Sequence, residues 1–129
     1  MEDGKRILVV EDYQPMVGAI ASILELNGYT VSTAVNGVEA LEIMEDVIPD
    51  LIIADILMPE MDGYAFYQEV QRHPEWSSIP FVFLTSMAER EDIQKGRDLG
   101  VDSYITKPFD PEDLVATARA ELEAAQSEQ

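Results

Sequence analysis

Three short runs of the chain are apolar at nearly every position, and they alternate with segments of helical periodicity. Arg6–Glu11, Asp50–Asp55 and Ile79–Thr85 are these runs, and such continuous runs are typical of central strands of a parallel sheet, which are buried on both faces. Thr30–Val35 and Ser103–Lys107 read as shorter and more polar strands, so we place them at the sheet edges.

A helical segment follows each strand. Pro15 opens the first, Asn27-Gly28 closes it, and its apolar side chains recur at spacing i, i+3, i+4 and i+7. The other four predicted helices begin near Asn36, Gly63, Glu89 and Asp110. Ala124–Gln129 has little apolar content, which predicts a frayed helix end or the start of a linker.

Five strands alternating with five helices predict an α/β fold with a parallel sheet covered on both faces. The polar strands fit the edges if the strand order is 2-1-3-4-5, which is the doubly wound, flavodoxin-like arrangement. We expect one domain over residues 1–129, with a core from about 5 to 123. The ligand crevice of this topology lies at the carboxyl ends of strands one and three, where the winding reverses.

The charge of the chain excludes several classes of function. The 129 residues include 26 Asp+Glu against 8 Lys+Arg, which gives a net charge of −18, and this argues against direct binding of nucleic acid or anionic membranes. The chain has no Cys and one His, so thiolate and His-rich metal sites are excluded. No apolar run is long enough to span a membrane, and the polar amino terminus predicts a cytoplasmic protein.

Polar residues stand at the predicted carboxyl ends of the strands. Glu11 and Asp12 end strand one, Asp55 ends strand three, Thr85 ends strand four and Lys107 ends strand five. Three neighbouring carboxylates favour a hard cation with oxygen ligands, and Mg²⁺ fits because it uses one or two carboxylates and keeps several waters. A carboxylate beside such a cation can attack phosphorus and form an acyl phosphate, and Asp55 is the central candidate.

These residues together resemble a known family. Glu11-Asp12, Asp55 followed by Met58–Gly63, Thr85, and the segment Tyr104–Phe109 are similar, in order and spacing, to the receiver domain of two-component response regulators. The resemblance covers residues 5 to 123. It implies a signalling domain that takes a phosphoryl group from the phosphohistidine of a sensor histidine kinase or phosphotransfer protein, and that is a substrate rather than a turnover enzyme.

The resemblance also implies individual roles. Asp55 is the expected phospho-acceptor, Lys107 its counter-charge, Thr85 the switch hydroxyl and Tyr104 the switch aromatic, with a cis peptide before Pro108. The expected Mg²⁺ ligands are Asp12, Asp55, Glu11 through water, and the Leu57 backbone carbonyl. Phosphorylation is expected to change the surface of the fourth helix, fifth strand and fifth helix, which would contact a downstream partner or a second copy in a homodimer.

Leu57 and Met87 stand two residues after Asp55 and Thr85, respectively. Apolar side chains at these positions would hinder a water aligned for attack on the phosphoryl group, so we expect slow dephosphorylation.

Three alternatives remain open at this stage. A phosphatase of the haloacid dehalogenase type would need Asp-x-Asp, and the second position here is Leu57. A pseudo-receiver would lack some of the acids or the Lys, which this chain keeps. A flavin binder of the same topology would need a phosphate-binding loop where Glu11-Asp12 stands.

Overall fold

The computed structural model describes residues 4–86, 94, 97–101 and 103–127. Five strands form one parallel sheet in the order β2-β1-β3-β4-β5, which confirms the expected topology. The strands are β1 Arg6–Val10, β2 Thr30–Ala34, β3 Leu51–Asp55, β4 Phe81–Ser86 and β5 Tyr104–Lys107.

Helices connect the strands and cover both faces of the sheet. They are α1 Gln14–Leu26, α2 Gly37–Asp46 and α3 Gly63–Gln71, then α4, of which Gln94 and residues 97–99 are described, and α5 Pro111–Ser127. None of the described helices is both long and apolar enough to cross a membrane.

The alternating side chains of each strand supply two separate cores. In β1, Leu8 and Val10 pack on the α2 and α3 side, whereas Ile7 and Val9 pack on the α1 and α5 side. The first core is rich in aromatic rings, and the second is mostly aliphatic. The continuous apolar runs thus correspond to strands buried on both faces, as expected for a parallel sheet.

Two boundaries differ by more than one residue from the sequence expectation. Strand β4 begins at Phe81 rather than Ile79, and Pro80, which has no N–H, contributes its carbonyl to the Ile52 amide. Helix α5 continues through Ser127, so residues 124–127 are helical rather than frayed or linker. Ala, Glu and Gln propagate a helix without an apolar face, and apolar content therefore underestimated its length.

The turn between β2 and α2 is fixed by a reciprocal cap at the carboxyl edge of the sheet. The Asn36 side chain accepts the Glu39 backbone N–H at 2.8 Å, and the Glu39 carboxylate accepts the Val35 N–H at 2.9 Å. These bonds satisfy amides that a helix start leaves without partners. The cap fixes where the chain leaves β2 for α2.

We expect Asn36→Ala to lower the free energy of unfolding by about 1 kcal/mol, because the Glu39 amide loses its acceptor. Urea denaturation followed by circular dichroism measures this loss. Ser22→Ala, at an exposed position inside α1, is the control and should change stability by less than about 0.5 kcal/mol. Equal stability of the Asn36 variant and the wild type would contradict the assigned role of the cap.

Candidate functional site

A cavity of about 300 Å³ opens at the carboxyl edge of the sheet. Polar residues at or just after the carboxyl ends of β1, β3, β4 and β5 line it. Its lining consists of Glu11, Asp12, Tyr13, Asp55, Ile56, Leu57, Thr85 and Lys107. The five strand-end residues singled out from the sequence are therefore brought together.

Lys107 joins the two buried carboxylates of the cavity. Its Nζ donates to Asp55 Oδ2 at 2.8 Å and to Glu11 Oε1 at 3.1 Å. Glu11 is 1% exposed and Asp55 6%, so neither carboxylate could be buried cheaply without such a partner.

The sheet order explains why a lysine is needed at this strand end. β5 is separated from β3 by β4 and from β1 by β4 and β3, and neighbouring strands lie about 4.8 Å apart. The backbones of β5 and β3 therefore lie about 10 Å apart. The long stem of Lys107, the Asp55 side chain and the 2.8 Å hydrogen bond between them together span this distance. Thr85, on the intervening strand β4, needs only a short side chain.

Three carboxylates form one cluster in the cavity. Oxygen atoms of Glu11, Asp12 and Asp55 all lie within 4.8 Å of one another. Asp12 is exposed, whereas the other two are buried. The second carboxylate oxygens of Glu11 and Asp55 accept backbone N–H groups, from Tyr13 at 3.1 Å and Leu57 at 3.2 Å. These bonds orient the two buried carboxylates toward Lys107.

The crowding of charge alters proton affinity. Burial raises the pKa of Glu11 from 4.5 to about 7, and the neighbouring Asp55 carboxylate adds to this rise. The hydrogen bonds from the Tyr13 amide and Lys107 lower the pKa, but by less. Burial would lower the pKa of Lys107, but its bonds to Asp55 and Glu11 outweigh burial and hold the pKa above 10.5. Lys107 therefore stays charged, and the cavity holds more carboxylates than cationic groups.

Thr85 and Tyr104 occupy different surroundings. Thr85 is buried and lines the cavity. Tyr104 is half-buried, its ring lies 6.1 Å from that of Phe83, and its hydroxyl donates to the Val101 carbonyl at 2.8 Å. The two side chains lie on adjacent strands, since Thr85 belongs to β4 and Tyr104 to β5.

The remaining predicted positions lie on the rim of the cavity or outside the described residues. Leu57 is 66% exposed at the cavity. The peptide bond between Lys107 and Pro108 is cis, as the resemblance implies. Met87 lies outside the described residues.

Two further residues of the site were not singled out from the sequence. Tyr13 lines the cavity although it is 62% exposed, and its amide holds Glu11. Gly63 packs beneath the acidic strand end, where an added Cβ would lie 2.5 Å from the Asp55 carbonyl oxygen and 2.8 Å from Ile56 Cα. Its amide also donates to the Ile56 carbonyl at 2.7 Å. Little in the sequence indicated this role for Gly63, because Asp62-Gly63 is also typical of an ordinary helix start.

Comparisons with known proteins agree with this architecture. Residues 7–119 match the family described as the response regulator receiver domain. The DNA-binding dual master transcriptional regulator RpaA of Synechocystis is 38% identical over 118 residues, which cover 91% of this chain and 48% of that protein. The chain spans about half the length of the curated relatives it matches.

Two solved structures illustrate the likeness of the fold. A response regulator from Chloroflexus aurantiacus superposes with a TM-score of 0.90 at 30% identity, covering 94% of this chain and 99% of that one. The chemotaxis response regulator CheY4 of Vibrio cholerae gives a TM-score of 0.85 at 32% identity, with coverage of 91% and 98%.

We expect Gly63→Ala to destabilise the protein by about 1–3 kcal/mol, because the new methyl group meets backbone atoms that cannot rotate away. Gly18→Ala is the matched control: a Cβ there meets nothing within 4 Å, and within α1 it should stabilise by about 0.5–1 kcal/mol. Chemical denaturation compares the two, and amide NMR shifts should move at Asp55 and Ile56 in the Gly63 variant alone. Equal stability of the two variants would show that the close approach does not matter.

Proposed function

The chain belongs to the response regulator receiver domain family, and we propose that its Asp55 receives a phosphoryl group from the phosphohistidine of a sensor histidine kinase or phosphotransfer protein. The observation that carries this proposal is the geometry around Asp55. Its carboxylate stands in an open cavity with Lys107 Nζ 2.8 Å from one oxygen, and with carboxylates of Glu11 and Asp12 within 4.8 Å.

The proposed step is a displacement at phosphorus. Asp55 contributes an electron pair to a new O–P bond while the P–N bond of the phosphohistidine breaks. The imidazole ring, protonated at its other nitrogen, leaves as neutral imidazole with the electron pair of the broken P–N bond. The positive charge of Lys107 stabilises negative charge on the phosphoryl oxygens. The buried Thr85 hydroxyl can donate to another phosphoryl oxygen.

We propose Mg²⁺ as the cofactor of this step. Its ligands would be the Asp12 and Asp55 carboxylates, the Leu57 backbone carbonyl, and Glu11 through a water. The donor set fits, because Mg²⁺ prefers oxygen ligands and the carboxylates of the cavity are only partly offset by Lys107. When bound, Mg²⁺ supplies positive charge next to the phosphoryl oxygens.

The consequence of phosphorylation is proposed to be a change of surface on α4, β5 and α5. Thr85 moves toward the phosphoryl group and Tyr104 turns inward. The inward turn breaks the hydrogen bond from the Tyr104 hydroxyl to the Val101 carbonyl. The altered surface then binds a downstream partner, an output domain or a second copy of the chain. Any DNA-binding output would lie on a separate domain or partner, since the net charge of −18 repels nucleic acid.

The chain is thus proposed to act as a signalling domain that is modified, not as a turnover enzyme. Residues 1–129 would form one receiver domain with its core over about 5–123, and a cytoplasmic location stays a prediction.

Incubation with acetyl phosphate and Mg²⁺ should add one phosphoryl group to the wild type, seen as the mass increase of the intact protein. Asp55→Asn should lose the adduct completely, because an amide is not a nucleophile for this step. Asp46→Asn is the control, since that carboxylate is exposed on α2 away from the cavity, and it should keep the adduct. An unmodified wild type, or a modified Asp55→Asn, would overturn the assignment.

The double substitution Leu57→Asn with Met87→Glu should speed loss of phosphate by about tenfold, which corresponds to ~1.4 kcal/mol of barrier. Polar groups at these positions can align a water that an apolar side chain hinders. The decay of the phosphorylated species after removal of acetyl phosphate measures the rate. Leu57→Ala serves as the control, because it removes bulk without adding a hydrogen-bonding group, and an unchanged rate in the double variant would reject the hypothesis.

A further inference from the structure

A largely apolar groove of about 480 Å³ lies between α1 and α5. Leu26, at its α1 side, is 87% exposed, which is more than any other large apolar side chain that the structure describes. The groove shares no described lining residue with the cavity around Asp55, so it is a separate surface. Its walls include Ile23 and Leu26 of α1 and Glu112, Val115, Ala116 and Arg119 of α5.

The α5 wall of the groove is a stripe with opposite charges at its two ends. Glu112, Val115, Ala116 and Arg119 follow the spacing i, i+3, i+4 and i+7, which places them on one face of the helix. Val115 is half-buried and the other three are exposed. The stripe is therefore negative at its amino end, apolar in the middle and positive at its carboxyl end.

Neither charge of the stripe has an ion-pair partner within the described part of the chain. The ion pairs found there involve Arg72, His73 and Lys107 instead. Glu112 and Arg119 do not pair with each other, since two turns of helix separate their backbones by about 10 Å. Both groups are thus open to a charge on a second molecule.

We propose that the α1–α5 groove docks a second copy of this chain, with the two α5 helices antiparallel about a two-fold axis between Val115 and Ala116. In such an isologous contact the same patch of both copies meets itself. Antiparallel pairing about this point sets Glu112 of each copy opposite Arg119 of the other, so two ion pairs close together. The exposed Leu26 side chains lie along the same contact and become covered.

The charge of the chain favours this arrangement over other contacts between copies. Each copy has a net charge of −18 and only 8 Lys+Arg, so most pairs of surfaces repel each other. A parallel pair of α5 helices would set Glu112 on Glu112 and Arg119 on Arg119, which is unfavourable. Antiparallel contact instead matches opposite charges, and salt at about 0.15 M screens repulsion beyond about 8 Å.

Sedimentation equilibrium at about 0.15 M salt tests the dimer. The wild type should dimerise with a Kd of about 10–100 µM, because the patch is small. Glu112→Arg and Arg119→Glu should each weaken the dimer by about tenfold or more, since each brings like charges together twice. Glu42→Arg is the control, because it changes the net charge equally at an exposed position of α2, and it should not weaken the dimer.

An equimolar mixture of the two single variants tests the antiparallel register. In the mixed dimer one copy supplies two cations and the other two carboxylates, so both contacts join opposite charges. The mixture should therefore recover the wild-type Kd, although each variant alone is largely monomeric. The double variant Glu112→Arg with Arg119→Glu should also recover it, and failure of both would contradict the proposed register.

Leu26→Ser tests the contribution of the α1 side of the groove. It should weaken the dimer by about fivefold, because two exposed apolar side chains are removed from the contact. Ile48→Ser is the matched control, since Ile48 is also exposed but lies between α2 and β3, outside the groove. It should leave the Kd unchanged, and circular dichroism should show that both variants remain folded.

Asp55→Asn separates this inference from the assignment of the phospho-acceptor. The variant should dimerise like the wild type, because the groove does not include the cavity. A wild type that is monomeric at about 0.5 mM, or a dimer unaffected by either charge reversal, would assign the groove to another occupant and overturn the inference, with Asp55 untouched. A dimer formed only after treatment with acetyl phosphate, and lost in Asp55→Asn, would overturn it as well.

Discussion

The ion pairs of Lys107 with Glu11 and Asp55 are the interaction on which the rest of the site depends. Two carboxylates that are almost wholly buried need a cation, and the cation comes from the far edge of the sheet. This requirement links the last strand to the first and third, so the cavity forms only when the whole sheet is assembled. It also fixes which strand carries which group: a long side chain on β5, a short hydroxyl on β4, and carboxylates on β1 and β3.

The same electrostatics connects the fold to the chemistry. Lys107 stays protonated because its partners raise its pKa, while burial and Asp55 raise the pKa of Glu11 to about 7. The cavity holds more carboxylates than cationic groups, which is consistent with the proposed binding of a divalent cation and a phosphoryl group. Among the described residues outside the cavity, most acidic side chains are exposed, and their charges act on approaching molecules only through a field that salt screens.

Several features followed directly from local pattern. The uninterrupted apolar runs identified β1, β3 and β4, since only strands covered on both faces bury every side chain. Asn36, Asp62 and Asp110 marked helix starts because their side chains or carbonyls can accept amides that the helix leaves unpaired. The end of α5 was misjudged, because apolar periodicity reports packing rather than helix propensity, and residues 124–127 include no large apolar side chain.

The sequence by itself determined the element order, the sheet topology and the five polar strand ends, because periodicity and winding rules depend on residues close in the chain. Tertiary structure alone decided the Lys107 bonds, the orientation of Tyr104 toward Val101, and the roles of Tyr13 and Gly63. The Lys107 bonds join residues far apart in sequence, whereas the contacts of Tyr13, Tyr104 and Gly63 join near neighbours whose approach depends on how the packed backbone turns. No sequence pattern encodes whether a Cβ at position 63 would strike the backbone of Asp55.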